Sequence, residues 1–231
     1  ALLKDGKLIE LHKDEDDNDF AVGDIFIAKI RKVMPGLNAA FVNVGYEKDG
    51  FLHYHDLGPQ LPSLMKFIKR VSTGKLRDYT LKDFPIEKDL DKHGKIANAI
   101  KSNQSILVQV VKEPISTKGP RISSELSIAG RYIVLVPFSN RISISQKIDS
   151  QEEKDRLKRL VKSITPKGFG VIIRTVAEGK KVAELDSDLQ NLLDRWTAMC
   201  KKLYKAHHPT KVLGEMNKAS SILRDIFNDS F

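Results

Sequence analysis

The stretch VGDIFIAKIRKVMPGLNAAFVNVGYEKDGFLHYHDL, residues 22–57, alternates short runs of β-forming residues with turn residues. One strand ends at Pro35-Gly36, a second runs from Asn38 to Val44, and a third starts at Phe51 after a glycine-containing turn. Short strands at this spacing predict a small β-barrel or sandwich. A later run, from Ser105 to Glu113, supplies the strand that completes it.

The composition is that of a globular protein with room for one or two domains: 231 residues, 41% hydrophobic and 30% charged. The formal net charge of +9 favours a polyanionic partner, nucleic acid first and an anionic membrane second. The single cysteine, Cys200, excludes an internal disulfide framework and a multi-cysteine metal site within one chain, which favours a cytoplasmic setting. No apolar run is long enough to predict a membrane span, and the charged N-terminus does not resemble a signal peptide. Because residue 1 is not Met, we expect the natural chain to begin earlier.

Two segments flank or interrupt the barrel pattern. Near the N-terminus, apolar runs on both sides of Asp5-Gly6 predict a β-hairpin, and the acidic run from Glu15 to Asp19 predicts a loop. Residues 55–103 mix short apolar clusters with charged residues and prolines. Because this is too long for an ordinary connection in a compact domain, we expect an insertion that contains some helix.

After residue 117 the pattern changes to that of an α/β unit. The segments RYIVLVP and RISIS predict two paired strands, and a helix with a capping box at Ser150 and Glu153 follows them. A strand from Phe169 and a helix from about Ala183 to Tyr204 complete the unit. A further helical pattern runs from Met216 to Phe227.

The segment GFGVIIRTVAEG, residues 168–179, ends a buried strand with Arg174 and Thr175 side by side. Arginine offers a rigid fork of N–H donors and threonine offers a hydroxyl, a pair suited to holding a phosphate. Two alternatives stay open: the pair tolerates a solvated strand end, or Arg174 forms a salt bridge with Glu178.

Aromatic and basic residues are interleaved in the barrel segment. Phe41 and Phe51 lie ten apart on adjoining predicted strands, and the side chains nearby include Phe26, Lys29, Arg31 and His53. Aromatic rings beside cations form a stacking platform for unpaired bases. The alternative for both phenylalanines is an ordinary place in the core.

Longer motifs resemble known families. The pattern AAFV, GFLH and IANAIKSNQSILVQVVKE, with Gly-Asp at its start, resembles the OB-fold RNA-binding module of the ribosomal protein S-one type. The ordered motifs KGPR, SIAGRYIVLVP, ISISQKI and GVIIRTVAEG resemble the ribonuclease E/G family of endoribonucleases. This resemblance extends from the opening hairpin to ILRDIF.

The resemblance implies an α+β chain in which a five-stranded OB-fold barrel is inserted in an RNase H-like domain and followed by an α/β subdomain that senses the RNA 5′ end. The implied bounds are 1–21 for the first RNase H-like segment, 22–116 for the barrel with the insertion, 117–213 for the sensor, and 214–231 for the return into the RNase H-like domain. The insertion is expected to extend the RNA-binding face or to pack on the sensor.

The resemblance also implies two groups of site residues. The 5′-monophosphate pocket is expected at Arg174 and Thr175, with the main chain of Gly130 and Val134. Single-stranded RNA is expected to contact the barrel at a wider set of residues: Phe41, Phe51, Lys118, His53, Lys29, Arg31 and Arg121.

No catalytic residue is expected within this chain. In the resembled enzymes two aspartates and an Asn-Arg pair downstream hold magnesium, and a cysteine motif shared between subunits holds zinc. We therefore expect a truncated chain without a cofactor of its own that binds RNA but does not cleave it, and that associates at most weakly. The alternative from another class is a non-catalytic RNA-binding adaptor.

Other polar pairs are expected to be solvated. His207-His208 lacks further spaced ligands for a metal ion, so a solvated helix end is the favoured interpretation. The pairs Asp186/Asp188 and Asp225/Asp229 are interpreted as solvated charges on helix faces.

Overall fold

The computed structural model describes residues 2–4, 7–10 and 20–215. The first sheet contains β3 (Ile25–Met34), β4 (Ala39–Asn43), β5 (Gly50–His53), β6 (Ser105–Lys112), β7 (Arg121–Ser123) and β12 (Thr210–Leu213). Five of these strands close a barrel in the order β3, β4, β5, β7, β6 and back to β3, as in an OB-fold, and β12 pairs with the first residues of β3. All pairings are antiparallel except that of β5 with β7.

Both faces of the first half of β3 are buried. Phe26, Ala28 and Ile30 point into the barrel, whereas Ile25 and Ile27 belong to a second core outside it. From Lys29 onward β3 has an exposed outer face, because nothing in the described part of the chain covers residues 29, 31 and 32. The barrel wall is therefore covered on one part and open on another.

Two strands lie beyond the predicted barrel segment, which ended at residue 116. β7 closes the barrel by pairing with both β5 and β6, and β12 pairs with β3. The bound at 116 is therefore too early to include the closing strand, because only three residues form β7 and so short a strand leaves no alternating pattern. A segment assigned to the sensor thus contributes two strands to the barrel sheet.

A second sheet and two helices follow, formed by β8 (Ile128–Ala129), β9 (Ile133–Pro137), β10 (Ile142–Ile144), α3 (Gln151–Ile164), β11 (Phe169–Ile173) and α4 (Val182–Leu203). The strand order of this sheet is β10, β11, β9, β8. We call these elements the α/β unit. The predicted pairing of β9 with β10 is wrong, because β11 lies between them, parallel to β10 and antiparallel to β9. The helix between the parallel strands is the crossover that such a pair requires.

The insertion packs on the α/β unit, as one of its two predicted roles required. It contains α1 (Leu61–Ser72) and the short α2 (Ile96–Ala99). Phe67 of α1 is fully buried in the core that α1 shares with α4 and the second sheet. The indole N–H of Trp196 donates to the backbone oxygen of Tyr79 in the insertion at 2.8 Å.

The N-terminal hairpin is present, with β1 (Leu2–Lys4) antiparallel to β2 (Lys7–Glu10). The predicted acidic loop at residues 15–19, the predicted helix at 216–227 and the pair Asp225/Asp229 lie outside the described residues. Among the helices that the structure describes, none combines the length and apolarity needed to cross a membrane.

Candidate nucleic-acid interface

Phe41 and Phe51 lie directly opposite each other on β4 and β5. Their ring centroids are 5.9 Å apart and the rings meet edge to face at 65°. Both side chains are half-buried on the outer face of the barrel, whereas their neighbours Val42 and Leu52 fill its interior. The two phenylalanines are therefore not part of the barrel core.

Basic side chains continue this pair on both sides. A β-bulge near Arg31 brings Lys32 opposite Phe41, and Arg121 of β7 lies opposite Phe51. A second bulge, in β6, brings Lys112 opposite Arg121. Because directly opposed residues share a face of a sheet, these side chains form one line across the strands. We call Lys32, Phe41, Phe51, Arg121 and Lys112 the aromatic-basic row.

A cavity of about 570 Å³ lies beside the row. The loop that carries Lys118 reaches it because Gly119 lies directly against the backbone of Asp49, where a Cβ would collide with the carbonyl oxygen. Lys118 itself is exposed. The residues that line the cavity are Phe41, Lys48, Asp49, Phe51, Thr117, Lys118, Gly119 and Arg121.

Two of the predicted RNA-binding arginines have carboxylate partners. Arg121 forms two hydrogen bonds with Asp56, from Nε at 3.1 Å and from Nη2 at 3.0 Å, and these bonds raise the pKa of Arg121. Nη1 of Arg31 lies 3.3 Å from Oδ2 of Asp49. Both arginines are more than 40% exposed, so a phosphate can approach them, but it competes with a carboxylate there.

The remaining predicted residues of the barrel flank the row. His53 follows Phe51 by two residues on β5, so it shares the same face, and its Nδ1 accepts the His55 N–H at 3.2 Å. Lys29 is exposed on β3, opposite Asn43. The sequence interpretation missed Lys32, Lys48 and Lys112, which the strand pairing and the cavity bring to the same surface.

The end of β11 carries Arg174 and Thr175, both half-buried. Arg174 Nη1 donates to the carbonyl oxygens of Gly130 at 2.8 Å and Arg131 at 3.3 Å, and its backbone N–H donates to Tyr132 O at 2.8 Å. The guanidinium is thus held against the β8–β9 turn that contains Gly130. Val134 is half-buried on β9, opposite Ile172.

The Thr175 hydroxyl lies 2.9 Å from the hydroxyl of Ser145, which follows β10. Parallel pairing of β10 with β11 brings the two strand ends to the same edge of the sheet. This edge therefore presents a guanidinium and two hydroxyl groups. The sequence alone did not identify Ser145, because its position beside Thr175 depends on the pairing of β10 with β11.

The N-terminal turn of α3 fixes the segment that follows Thr175. Ser150 Oγ accepts the Glu153 N–H at 3.2 Å, which forms one half of the predicted capping box. The reciprocal bond from the Ser150 N–H to the Glu153 side chain is not formed, because that carboxylate binds other groups. The Glu153 carboxylate binds the Arg156 guanidinium at 2.6 and 2.7 Å and the Gly179 N–H at 2.8 Å. The bonds from Arg156 and Gly179 lower the pKa of Glu153 to about 2. Arg156 also donates to Lys180 O at 3.1 Å.

Asp188 does not behave as a solvated charge, so that interpretation is wrong. It is half-buried, and its carboxylate accepts backbone N–H groups from the β8–β9 turn. The helical pattern of α4 could not show this, because the turn it contacts lies more than fifty residues earlier in the chain.

No group of three or more His, Cys, Asp or Glu side chains in residues 2–4, 7–10 and 20–215 could hold a metal ion. His207 is exposed, and the buried Nε2 of His208 has no hydrogen-bond partner. The pKa of His208 is lowered, first by burial of the imidazole and then by charge repulsion from Lys29 and His207.

The chain is therefore an α+β protein with an OB-fold barrel, which is joined to an α/β unit and carries basic and aromatic side chains on one open face. The ribonuclease E/G family model matches residues 127–231. Ribonuclease G of Escherichia coli K12 is 32% identical over 225 residues, which are 97% of this chain and 42% of that protein. Ribonuclease E of Nostoc is 33% identical over 207 residues, 89% of this chain and 26% of that protein.

The chain belongs to the ribonuclease E/G family. It spans less than half the length of these relatives.

Proposed function

We propose that this chain is the RNA-recognition part of an endoribonuclease that acts in RNA processing and decay. The barrel binds single-stranded RNA, and the end of β11 binds a 5′-terminal monophosphate. The proposal combines family membership with the two surfaces described above. Cleavage in this proposal depends on metal-binding carboxylates outside the described residues, and the protein acts in the cytoplasm.

The aromatic-basic row carries the first half of the proposal. Two adjacent rings on an open β-face provide stacking surface for unpaired bases, and each stacked base contributes about 1–3 kcal/mol of binding free energy. Lys32, Lys112 and Lys118 supply positive charge for the phosphates on both sides of the rings. An RNA duplex has no unstacked bases for these rings, so the row favours single strands.

Arg174 and Thr175 carry the second half. A terminal monophosphate presents oxygens that an arginine fork can bind in a bidentate manner, and the adjacent hydroxyl groups of Thr175 and Ser145 add donors. The guanidinium is already anchored on the Gly130 and Arg131 carbonyls, so little side-chain entropy is lost when a phosphate binds.

The test measures binding of the same oligonucleotide with a 5′-monophosphate and with a 5′-hydroxyl at defined salt. Arg174→Ala is expected to weaken binding of the monophosphorylated RNA by about ten- to a hundredfold, the range of a lost charge-assisted hydrogen bond. Binding of the 5′-hydroxyl RNA should stay unchanged. An equal loss for both RNAs would contradict the proposed 5′-monophosphate site at Arg174. It would not contradict the proposal that the barrel binds RNA.

A further inference from the structure

Asp188 of α4 accepts three consecutive backbone N–H groups. Arg131 N–H lies 3.0 Å from Oδ1, and Tyr132 and Ile133 N–H lie 2.8 and 3.1 Å from Oδ2. The carboxylate also sits where a side chain at Gly130 would begin, since a Cβ there would lie 2.6 Å from Oδ2. The glycine of the GRYIV motif is thus required by the approach of Asp188.

The same three peptide groups face Arg174 on their other side. The carbonyl oxygens of Gly130 and Arg131 accept Arg174 Nη1, and the Tyr132 oxygen accepts the Arg174 backbone N–H. Each of these oxygens belongs to the peptide unit whose N–H group donates to Asp188. In a trans peptide the N–H and C=O groups point in opposite directions, so three consecutive units connect the carboxylate to the arginine.

Such an arrangement couples the two side chains without direct contact. The carboxylate polarises each N–H group, which strengthens the carbonyl on the opposite side as an acceptor for Arg174. It also fixes the orientation of all three peptide planes, and with them the direction of the guanidinium. Loss of the carboxylate leaves three N–H donors in a half-buried turn without their acceptor, so the turn is free to reorient.

We propose that Asp188 is a positioning residue that sets the specificity for the RNA 5′ end by orienting Arg174 through the Gly130–Ile133 turn. This inference rests on the proposed binding of a 5′-monophosphate at Arg174. The negative charge of the Asp188 carboxylate also repels a phosphate bound nearby. Repulsion alone predicts that removing this charge increases the preference for 5′-monophosphate RNA, whereas positioning predicts that the preference falls. The sign of the effect therefore decides between positioning and repulsion.

The experiment compares the affinity ratio of 5′-monophosphate to 5′-hydroxyl RNA for the wild type and Asp188→Asn. Asp194→Asn, which removes an exposed carboxylate from the same helix, is the control. We expect Asp188→Asn to lower the ratio about tenfold, in the range of couplings within one hydrogen-bond network, and the control to leave it unchanged. Affinity for 5′-hydroxyl RNA should not change, because no residue of the aromatic-basic row belongs to α4 or to the turn.

A double-mutant cycle with Arg174→Lys separates positioning from a general structural effect. If Asp188 acts through Arg174, Asp188→Asn has little further effect on the ratio once the guanidinium is gone. The inference is overturned if the losses of the two single variants multiply in the double variant, because the two residues then act independently. It is also overturned if the affinity ratio is unchanged or increased in Asp188→Asn. Amide hydrogen exchange provides a second readout, since exchange at residues 131–133 should accelerate in Asp188→Asn by more than exchange in the rest of the chain, which a general loss of stability would not produce.

The two proposals fail in different ways. A wild-type ratio near one, before any substitution, contradicts 5′-monophosphate binding itself. A high wild-type ratio that survives Asp188→Asn contradicts only the role of Asp188.

Discussion

Phe67 of the insertion helix α1 and Trp196 of α4 have ring centroids 5.4 Å apart, at an interplanar angle of 34°. Phe138 of the β9–β10 connection contacts both rings, at 5.3 Å from Phe67 and 5.9 Å from Trp196. The insertion is therefore part of the core of the α/β unit. Because the insertion leaves the barrel after β5 and returns before β6, this aromatic cluster also ties the barrel to that unit.

Phe67→Ala is expected to lower the free energy of unfolding by about 3–5 kcal/mol, the range for removing a fully buried aromatic side chain. Urea denaturation followed by the fluorescence of Trp196, the single tryptophan, measures this loss. Ile86→Ala, at an exposed position of the same insertion, serves as the control and should change stability by about 0.5 kcal/mol or less. A loss as small as that of the control would show that α1 is dispensable for the core.

The features that could be predicted from the sequence are those that depend on neighbouring residues, such as strand ends and the buried face of a helix. Turn residues at Pro35-Gly36 and around Asp49 mark the strand ends of the barrel, and the apolar stripe of α4 identifies its buried face. The helical pattern places Asp188 on α4 but does not show which backbone it approaches, since that depends on tertiary packing. The role of the insertion is non-local for the same reason, because its partner, Trp196, lies in a distant segment.

The basic side chains of the row show a second limit. A two-residue alternation assigns faces correctly only while the strand pairing is regular. Bulges before Lys32 and Lys112 shift the register by one residue, so both side chains reach a face that simple alternation does not give them. Phe41 and Phe51 were identifiable because no bulge separates them.

Phe41→Ala and Phe51→Ala are each expected to weaken binding of single-stranded RNA by about 1–3 kcal/mol, the contribution of one stacked base. The loss should be the same for 5′-monophosphate and 5′-hydroxyl RNA, because the proposed 5′-monophosphate site lies at the end of β11 and not on the barrel face. Fluorescence anisotropy with both oligonucleotides measures it. Leu37→Ala, an exposed apolar position on the β3–β4 turn, is the matched control. Unaltered affinity in a folded Phe41→Ala variant would return this residue to a purely structural role.

Lys32→Ala and Lys112→Ala test whether the row contacts phosphates. Each neutralised phosphate contributes about 0.7 to the slope of log K against log salt for a single strand. Each substitution is therefore expected to reduce the slope by about 0.7, and the double variant by about 1.4. Lys162→Ala, at an exposed position of α3, should leave the slope unchanged. If the slopes of the row variants match that of Lys162→Ala, the two lysines do not contact RNA.

Glu153 makes stability depend on pH in a defined window. Its pKa is lowered from 4.5 to about 2 in the folded chain, first by the hydrogen bonds from Arg156 and then by that from Gly179. Because the folded state binds the proton less tightly than the unfolded state, the stabilisation is fully present above pH 5 or so and is lost as the pH falls through 4.5 toward about 2.

Glu153→Gln removes this contribution at every pH, so it should lower the free energy of unfolding at neutral pH by about 1 kcal/mol, as expected for a solvent-accessible ion pair. The gap between wild type and variant should narrow as the pH falls toward 3, measured by urea unfolding at several pH values. Glu152→Gln, one residue earlier and exposed, is the control and should follow the wild type. A gap that stays constant with pH would mean that Glu153 acts through packing and not through its charge. Because Glu153 and Arg156 also hold Gly179 and Lys180 in the segment after Thr175, Glu153→Gln should also lower the 5′-monophosphate preference at neutral pH.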